Sequence, residues 1–173
     1  MSNIEFAILD FIQNYIRNPL FDKAMVFITT LGNSGMIWIV IALLMLCSKK
    51  YRTTGLMLSV GLIGSFFFGN LILKPLFHRT RPFDIADGIN LLISAPRDYS
   101  FPSGHTLASV ISATVLLIRE RKIGFFALAL AILIAFSRLY LYVHFPTDIL
   151  GGVIVGIIIG VLSVKTVKKI MRI

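Results

Sequence analysis

Apolar residues fill this chain in five long blocks, at roughly 24–47, 53–73, 103–118, 124–143 and 148–164, each bounded by a few polar or basic residues. A helix needs ~20 residues to cross a bilayer, within a range of about 17–25. The third and fifth blocks are therefore short, which predicts ends buried in protein below the lipid surface or a locally thinned bilayer. Ahead of the blocks, NIEFAILDFIQNYIRN places Phe6, Leu9, Ile12 and Ile16 at helical spacing opposite Glu5, Asp10 and Gln13. This segment is too short to span and predicts an amphipathic helix within residues 1–20 lying in the interface, with packing on the bundle as the alternative. The expected fold is an all-α polytopic membrane bundle: five transmembrane helices over 24–164, a short N-terminal interfacial helix and a basic tail over 165–173. LGNSG, residues 31–35, interrupts the first block and predicts a kink or local unwinding, to which no chemistry is assigned. Gly152, Gly156 and Gly160 recur at four-residue spacing and make a face that another helix can approach closely. Packing within one chain is favoured there over dimerisation.

Composition agrees with the pattern. Hydrophobic residues make up 57% of the 173 and the mean hydropathy is +0.87, which excludes an ordinary soluble domain and leaves room for one membrane domain. Residues 1–20 carry Glu5, Asp10 and Arg17 and lack a basic n-region before an apolar run, so no cleavable signal peptide is expected. The lone Cys47 excludes an intramolecular disulfide and a cysteine-based metal cluster.

The net charge of +9 raises the question of nucleic acid, and the placement of the basic residues answers it. Lys49, Lys50 and Arg52, then Arg119, Arg121 and Lys122, then Lys165, Lys168, Lys169 and Arg172 all fall on one side of a five-span bundle. The positive-inside rule makes that side cytoplasmic. The loops 74–102 and 144–147 are then extracytoplasmic, the C-terminus is cytoplasmic, and no nucleic-acid partner is expected.

The chemistry gathers on the outer side. KPLFHRTRP holds Lys74 and Arg81, FPSGHT holds Ser103, Gly104 and His105, and SRLYLYVHFPTD holds Arg138, His144 and Asp148. Three separate cations suit phosphate, whose oxygens match arginine forks in pairs. The Pro102–Ser103 pair precedes a helical run, so the Ser103, Gly104 and His105 amides should point outward at a helix N-terminus that binds anions. His144 stands four residues before Asp148, a spacing that lets a carboxylate hold one ring nitrogen and leaves the other free to attack. His105 is placed to protonate a leaving oxygen.

The three motifs, Lys74-x6-Arg81-Pro82, Pro102-Ser103-Gly104-His105 and Ser137-Arg138-x5-His144-x3-Asp148, closely resemble those of the type 2 phosphatidic acid phosphatase superfamily of membrane lipid phosphate phosphatases. Every motif position is filled; Tyr142 and Phe145 fall at variable ones. The resemblance implies that His144 attacks phosphorus to form a phosphohistidine, oriented by Asp148, and that His105 is the general acid and later helps activate water. It implies that Lys74, Arg81, Arg138, Ser103 and the Gly104 amide hold the phosphoryl oxygens. It also implies a metal-independent hydrolase without cofactors, acting on a lipid that enters from the bilayer. Undecaprenyl pyrophosphate is the favoured substrate, followed by phosphatidylglycerol phosphate or phosphatidate; lipid A 1-dephosphorylation and phosphotransfer are further activities of the same scaffold. His78 and Arg79 lie outside the fixed positions and are expected at the surface or substrate rim, and Arg97 and Asp98 are candidates for shaping headgroup choice. A small proton-coupled transporter is the rival from another class. Transporters set charges near the midplane between repeated halves, whereas here the charges collect at span ends and no repeat is present. A vanadate-dependent haloperoxidase would share the anion pocket, but five apolar spans argue against a soluble enzyme.

Overall fold

The computed structural model describes residues 3–173, and every regular element within them is helical. Helix α1 (Asn3–Phe11) widens into a π-helical turn over Ile12–Ile16. Its Leu9 and Ile12 are buried on the bundle, beside Tyr142 and Phe145 and beside Tyr140 and Val143 respectively. A second stripe, Ile4, Ile8, Phe11 and Tyr15, is exposed. The Gln13 amide donates to the Tyr140 carbonyl at 2.7 Å, and the Tyr142 hydroxyl donates to Asp10 at 2.7 Å. α1 therefore packs on the bundle with one apolar face and shows another outward. Glu5, expected on the polar outer face, is instead buried, because it meets Arg79.

Asn18 caps α2 (Pro19–Leu31) by accepting from the Leu20 and Phe21 amides, and Pro19 pre-sets the first turn. LGNSG then breaks the helix: Asn33–Gly35 form one tight turn, Ser34 and Gly35 take left-handed backbone (φ 52° and 69°), and α3 (Met36–Cys47) resumes at 45° to α2. Only glycine adopts such a φ without steric cost, which accounts for Gly35.

Helix α4 (Arg52–Gly64) runs through a π-helical stretch, Ser65–Leu73, into α5 (Lys74–Phe77). Pro75 lacks an amide hydrogen and its ring crowds the carbonyl four residues back, so the backbone widens ahead of it and the Lys74 amide donates to Gly69.

Helix α6 (Gly104–Arg119) is the centre of the bundle, with α7 (Arg121–Tyr140), α8 (Pro146–Met171) and α4 packed around it. Nine of its sixteen residues are buried, so its short length leaves little of it facing lipid. Trp38 of α3 donates to Ser109 of α6 at 2.9 Å, giving a buried indole N–H its partner. A Cβ added at Gly152, Gly156 or Gly160 would lie 3.0, 2.9 or 2.8 Å from the Cβ of Thr106, Val110 or Thr114 on α6. The glycine stripe of α8 is therefore an intramolecular packing face. α8 is also longer than the 148–164 block: it continues to Met171, with Val164 and Val167 buried while Lys165, Lys168 and Lys169 lie on the same turns.

Three helical segments are long and apolar enough to cross a membrane: Arg52–Asp84, Arg121–Tyr140 and Pro146–Met171. The bent pair Pro19–Leu31 and Asn33–Cys47 makes a fourth if taken as one span. The fold is an all-α polytopic membrane bundle.

Candidate active site

The five residues between α7 and α8 turn His144 inward. Tyr142 makes this turn with left-handed backbone (φ 58°), which costs a non-glycine residue roughly 1–2 kcal/mol. Burial of its ring and its hydrogen bond to Asp10 offset that cost. Asp148 sits in the first turn of α8 and accepts the Phe145 amide at 2.8 Å, which closes the helix start. The His144 Nδ1 lies 3.4 Å from Asp148 Oδ2, and the Ser100 hydroxyl donates to the same oxygen. On the other side of the ring, Nε2 lies 3.2 Å from Arg81 Nη1. A guanidinium can only donate, so this contact requires a lone pair on Nε2 and assigns the ring hydrogen to Nδ1. His144 is 1% exposed. Burial, then the charges of Arg81, Arg138 and Lys74, hold its pKa well below the usual 6.5, so the ring stays neutral.

Arg79 is not a rim residue. Its Nη1 donates to Asp148 Oδ1 at 2.6 Å, its Nη2 donates to Glu5 Oε2 at 2.8 Å, and its guanidinium lies 4.4 Å from the centre of the Phe145 ring. Glu5 also accepts from the Thr147 hydroxyl. Arg79 thus ties Glu5 to Asp148, the carboxylate that faces His144 Nδ1 and that a positive ring would meet during reaction.

Lys74, Arg81 and Arg138 line one cavity of about 700 Å³ together with Gly104, His105 and His144. Arg138, on the last turn of α7, is 2% exposed and donates from Nη1 to the Thr29 hydroxyl at 2.6 Å. Its Nε has no hydrogen-bond partner among the described residues. An orphaned buried donor is costly, and in a cavity lined by two other cations it is free to meet an anion. A Cβ added at Gly104 would stand 3.8 Å from Lys74 Nζ, so this helix start faces the ammonium at close range. Ser103 is placed otherwise than its neighbours: its hydroxyl is buried and accepts from the Thr106 amide at 3.4 Å and the Thr106 hydroxyl at 3.0 Å, which makes it the cap of α6.

His105 Nε2 lies 3.0 Å from Asn33 Oδ1, and a Cβ added at Gly32 would fall 2.7 Å from the His105 ring. The LGNSG break thus makes room for one histidine and supplies its partner. The sequence signal was available, as polar residues inside an apolar block. Asp98 bonds to Lys74 and Arg81, and the two cations draw its carboxyl down to about 2 against the upward pull of burial. A second cavity, of about 670 Å³, adjoins the first at Ser34, Lys74, Asp98, Gly104 and His105 and extends along apolar Ile39, Leu43, Leu62 and Phe66 of α3 and the α4 segment. Among the described residues no group of three or more His, Cys, Asp or Glu could hold a metal ion.

A buried neutral imidazole backed by a carboxylate, facing cations at the end of an apolar groove, suits phosphoryl transfer from an amphiphile. Comparison with known proteins gives the same answer. Residues 53–172 match the family model of the PAP2 superfamily. The chain is 32% identical to an undecaprenyl-diphosphatase of Sulfolobus acidocaldarius, over 88% of this chain and 73% of that protein. It is also 32% identical to the undecaprenyl-diphosphatase BcrC of Bacillus subtilis, over 84% and 75%. The crystal structure of Aquifex aeolicus LpxE superposes with a TM-score of 0.77 at 30% identity, covering 95% of this chain and 96% of that one. The PAP2-type phosphatidylglycerolphosphate phosphatase of Bacillus subtilis superposes with a TM-score of 0.75 at 27% identity, covering 98% and 89%. The chain belongs to the PAP2 superfamily and is one of its membrane lipid phosphatases.

Proposed function

We propose that this protein hydrolyses a polyprenyl diphosphate, undecaprenyl diphosphate in a bacterial membrane, through a phosphohistidine on His144. The observation that carries the lipid reading is the junction of the two cavities: the apolar groove ends on Lys74, Gly104 and His105, where the cation-lined pocket begins. The polyprenyl choice rests on the undecaprenyl-diphosphatases among its relatives. A phospholipid phosphate such as phosphatidylglycerol phosphate or phosphatidate is the second reading, favoured by the 31% identity over 91% of this chain with a Bacillus subtilis phosphatidylglycerophosphatase.

In this mechanism Nε2 of His144 bonds to the terminal phosphorus as the bridging P–O bond breaks. The lipid phosphate leaves with a proton from His105, whose ring Asn33 orients. Lys74, Arg81, Arg138 and the Gly104 amide hold the phosphoryl oxygens, while Asp148, held by Arg79, meets the charge on the phosphorylated ring. His105 then takes a proton from water as the water oxygen bonds to phosphorus and the P–N bond breaks, and inorganic phosphate leaves with His144 neutral again. Ser103 serves as the cap that holds this helix start. The fixed cations supply the charge that metal ions supply in other phosphatases, so no divalent ion is required. Purified protein in excess EDTA should release phosphate from undecaprenyl diphosphate with a higher kcat/KM than from phosphatidylglycerol phosphate, phosphatidate or lipid A. Preference for a phospholipid would select the second reading. Activity lost in EDTA and restored by magnesium would defeat the metal-free mechanism.

We further propose five spans, with the bent α2–α3 pair as the first and α6 as the third, and α1 lying in the outer interface on its exposed Ile4, Ile8, Phe11 and Tyr15. The basic clusters then put the C-terminus in the cytoplasm and the site outside. In a Cys47→Ser background, an impermeant thiol reagent on intact cells should label Asp87→Cys and spare Lys122→Cys. The reverse pattern would overturn this orientation.

A further inference from the structure

Every N–H of the Arg81 guanidinium is engaged. Nε donates to the Asp98 carbonyl at 2.8 Å, and Nη1 faces the Val143 carbonyl at 2.6 Å and His144 at 3.2 Å. Nη2 donates to the Asp98 carboxylate at 2.6 Å and more weakly to the Tyr99 carbonyl at 3.4 Å. Lys74 donates to the other oxygen of the same carboxylate. A phosphoryl oxygen that takes Lys74 and Arg81 together must therefore displace something, and the partners differ in how readily they yield. The carbonyls are fixed in the backbone and His144 is the nucleophile. The Asp98 side chain is 53% exposed, against 8% and 3% for the two cations it bridges, and it stands where both cavities meet. It can swing toward water, and the phosphoryl group then takes its place over the two buried cations.

We propose that the Asp98 carboxylate is an exchangeable anion: it yields Lys74 and Arg81 to the phosphoryl group on binding and retakes them as inorganic phosphate leaves. This rests on the phosphate-holding role given above to those two cations. Three cations and a helix start that stabilise a transferring phosphoryl group also hold the free phosphate product, which slows turnover. A carboxylate bonded to two of the same donors competes with that product, and apparent affinity falls by the fraction of molecules whose donors are taken. Asp98 stays ionised across the working pH range, since its pKa lies at about 2, so the competition is always present.

Competitive Ki values for inorganic phosphate and for vanadate, measured during lipid phosphate hydrolysis, test this directly. Asp98→Ala and Asp98→Asn should both bind phosphate more tightly, with Ki lower by about tenfold. KM should fall with Ki, and kcat should fall as release becomes slower than chemistry. Asp98→Asn keeps size and one acceptor oxygen while removing the charge, so it reports on the anion even if the alanine variant folds poorly. A higher Ki in Asp98→Asn would show that the carboxylate merely positions Lys74 and Arg81, and a Ki within twofold of wild type would equally overturn the exchange. Lys74→Gln separates this from the parent reading: its Ki should rise. If Lys74→Gln leaves phosphate affinity unchanged, the cation clamp itself is wrong. If it weakens phosphate while neither Asp98 variant tightens it, the exchange alone is wrong.

Discussion

His144→Ala should have no turnover above the uncatalysed rate with any lipid phosphate, because the other imidazole in the cavity, His105, is held at Nε2 by Asn33 and serves as the acid. The wild-type enzyme, quenched during turnover, should carry an acid-labile phosphoryl group that the variant lacks. His105→Ala should separate from it by leaving group: the loss should be large with phosphatidate, which loses an alkoxide, and much smaller with p-nitrophenyl phosphate, whose leaving group needs little protonation. The geometry adds a pH expectation. Nε2 must be unprotonated to attack, and burial with three nearby cations keeps the ring neutral far below the usual pKa of 6.5. As pH falls through 6.5, kcat/KM should therefore show no loss attributable to the nucleophile, and any acid limb in that range should persist with the same midpoint when His105 is the group altered in strength. Substantial turnover by His144→Ala would end the assignment.

The residues that a sequence reader finds here are those whose chemistry depends on short spacing. His144 and Asp148 meet because four residues are one helical turn across the start of α8, and Gly104 and His105 share the first turn of α6. The helical architecture was legible for a similar reason, since a bilayer imposes long apolar blocks. What escaped were contacts between single polar residues far apart in the chain. Asn33 reaches His105 across 72 positions, Arg79 reaches Asp148 across 69, and Glu5 reaches Arg79 across 74. No periodicity encodes such a meeting. Glu5 was misplaced because helical spacing alone puts it on a solvent face, and only the half-buried Arg79 opposite explains why it turns inward. Ser100, two residues after Asp98, was missed although the two divide the site between them, one on the cations and the other on the carboxylate behind His144. The length of α8 was underread because lysines end a hydropathy block without ending a helix.

Arg138→Lys should lower kcat/KM by ~10²–10³, the usual consequence of losing one preorganised transition-state donor. The side chain is fixed at both ends: α7 carries it at its last turn, and the Thr29 hydroxyl of α2 holds Nη1 at 2.6 Å. That anchor leaves the remaining N–H groups to the cavity that Arg138 lines, including the Nε that no atom among the described residues satisfies. A lysine keeps the positive charge and loses the planar fork, so it can meet one phosphoryl oxygen where arginine meets two. The loss should fall mainly on kcat, because the fork matches the equatorial oxygens of the transferring group better than those of the ground state. Thr29→Val should produce a smaller defect of the same kind by freeing Nη1 to wander. Both variants should retain the thermal stability of the wild type within a few degrees if the role is catalytic. An Arg138→Lys enzyme that works within a few-fold of wild type would show that this arginine serves only as a buried structural cation.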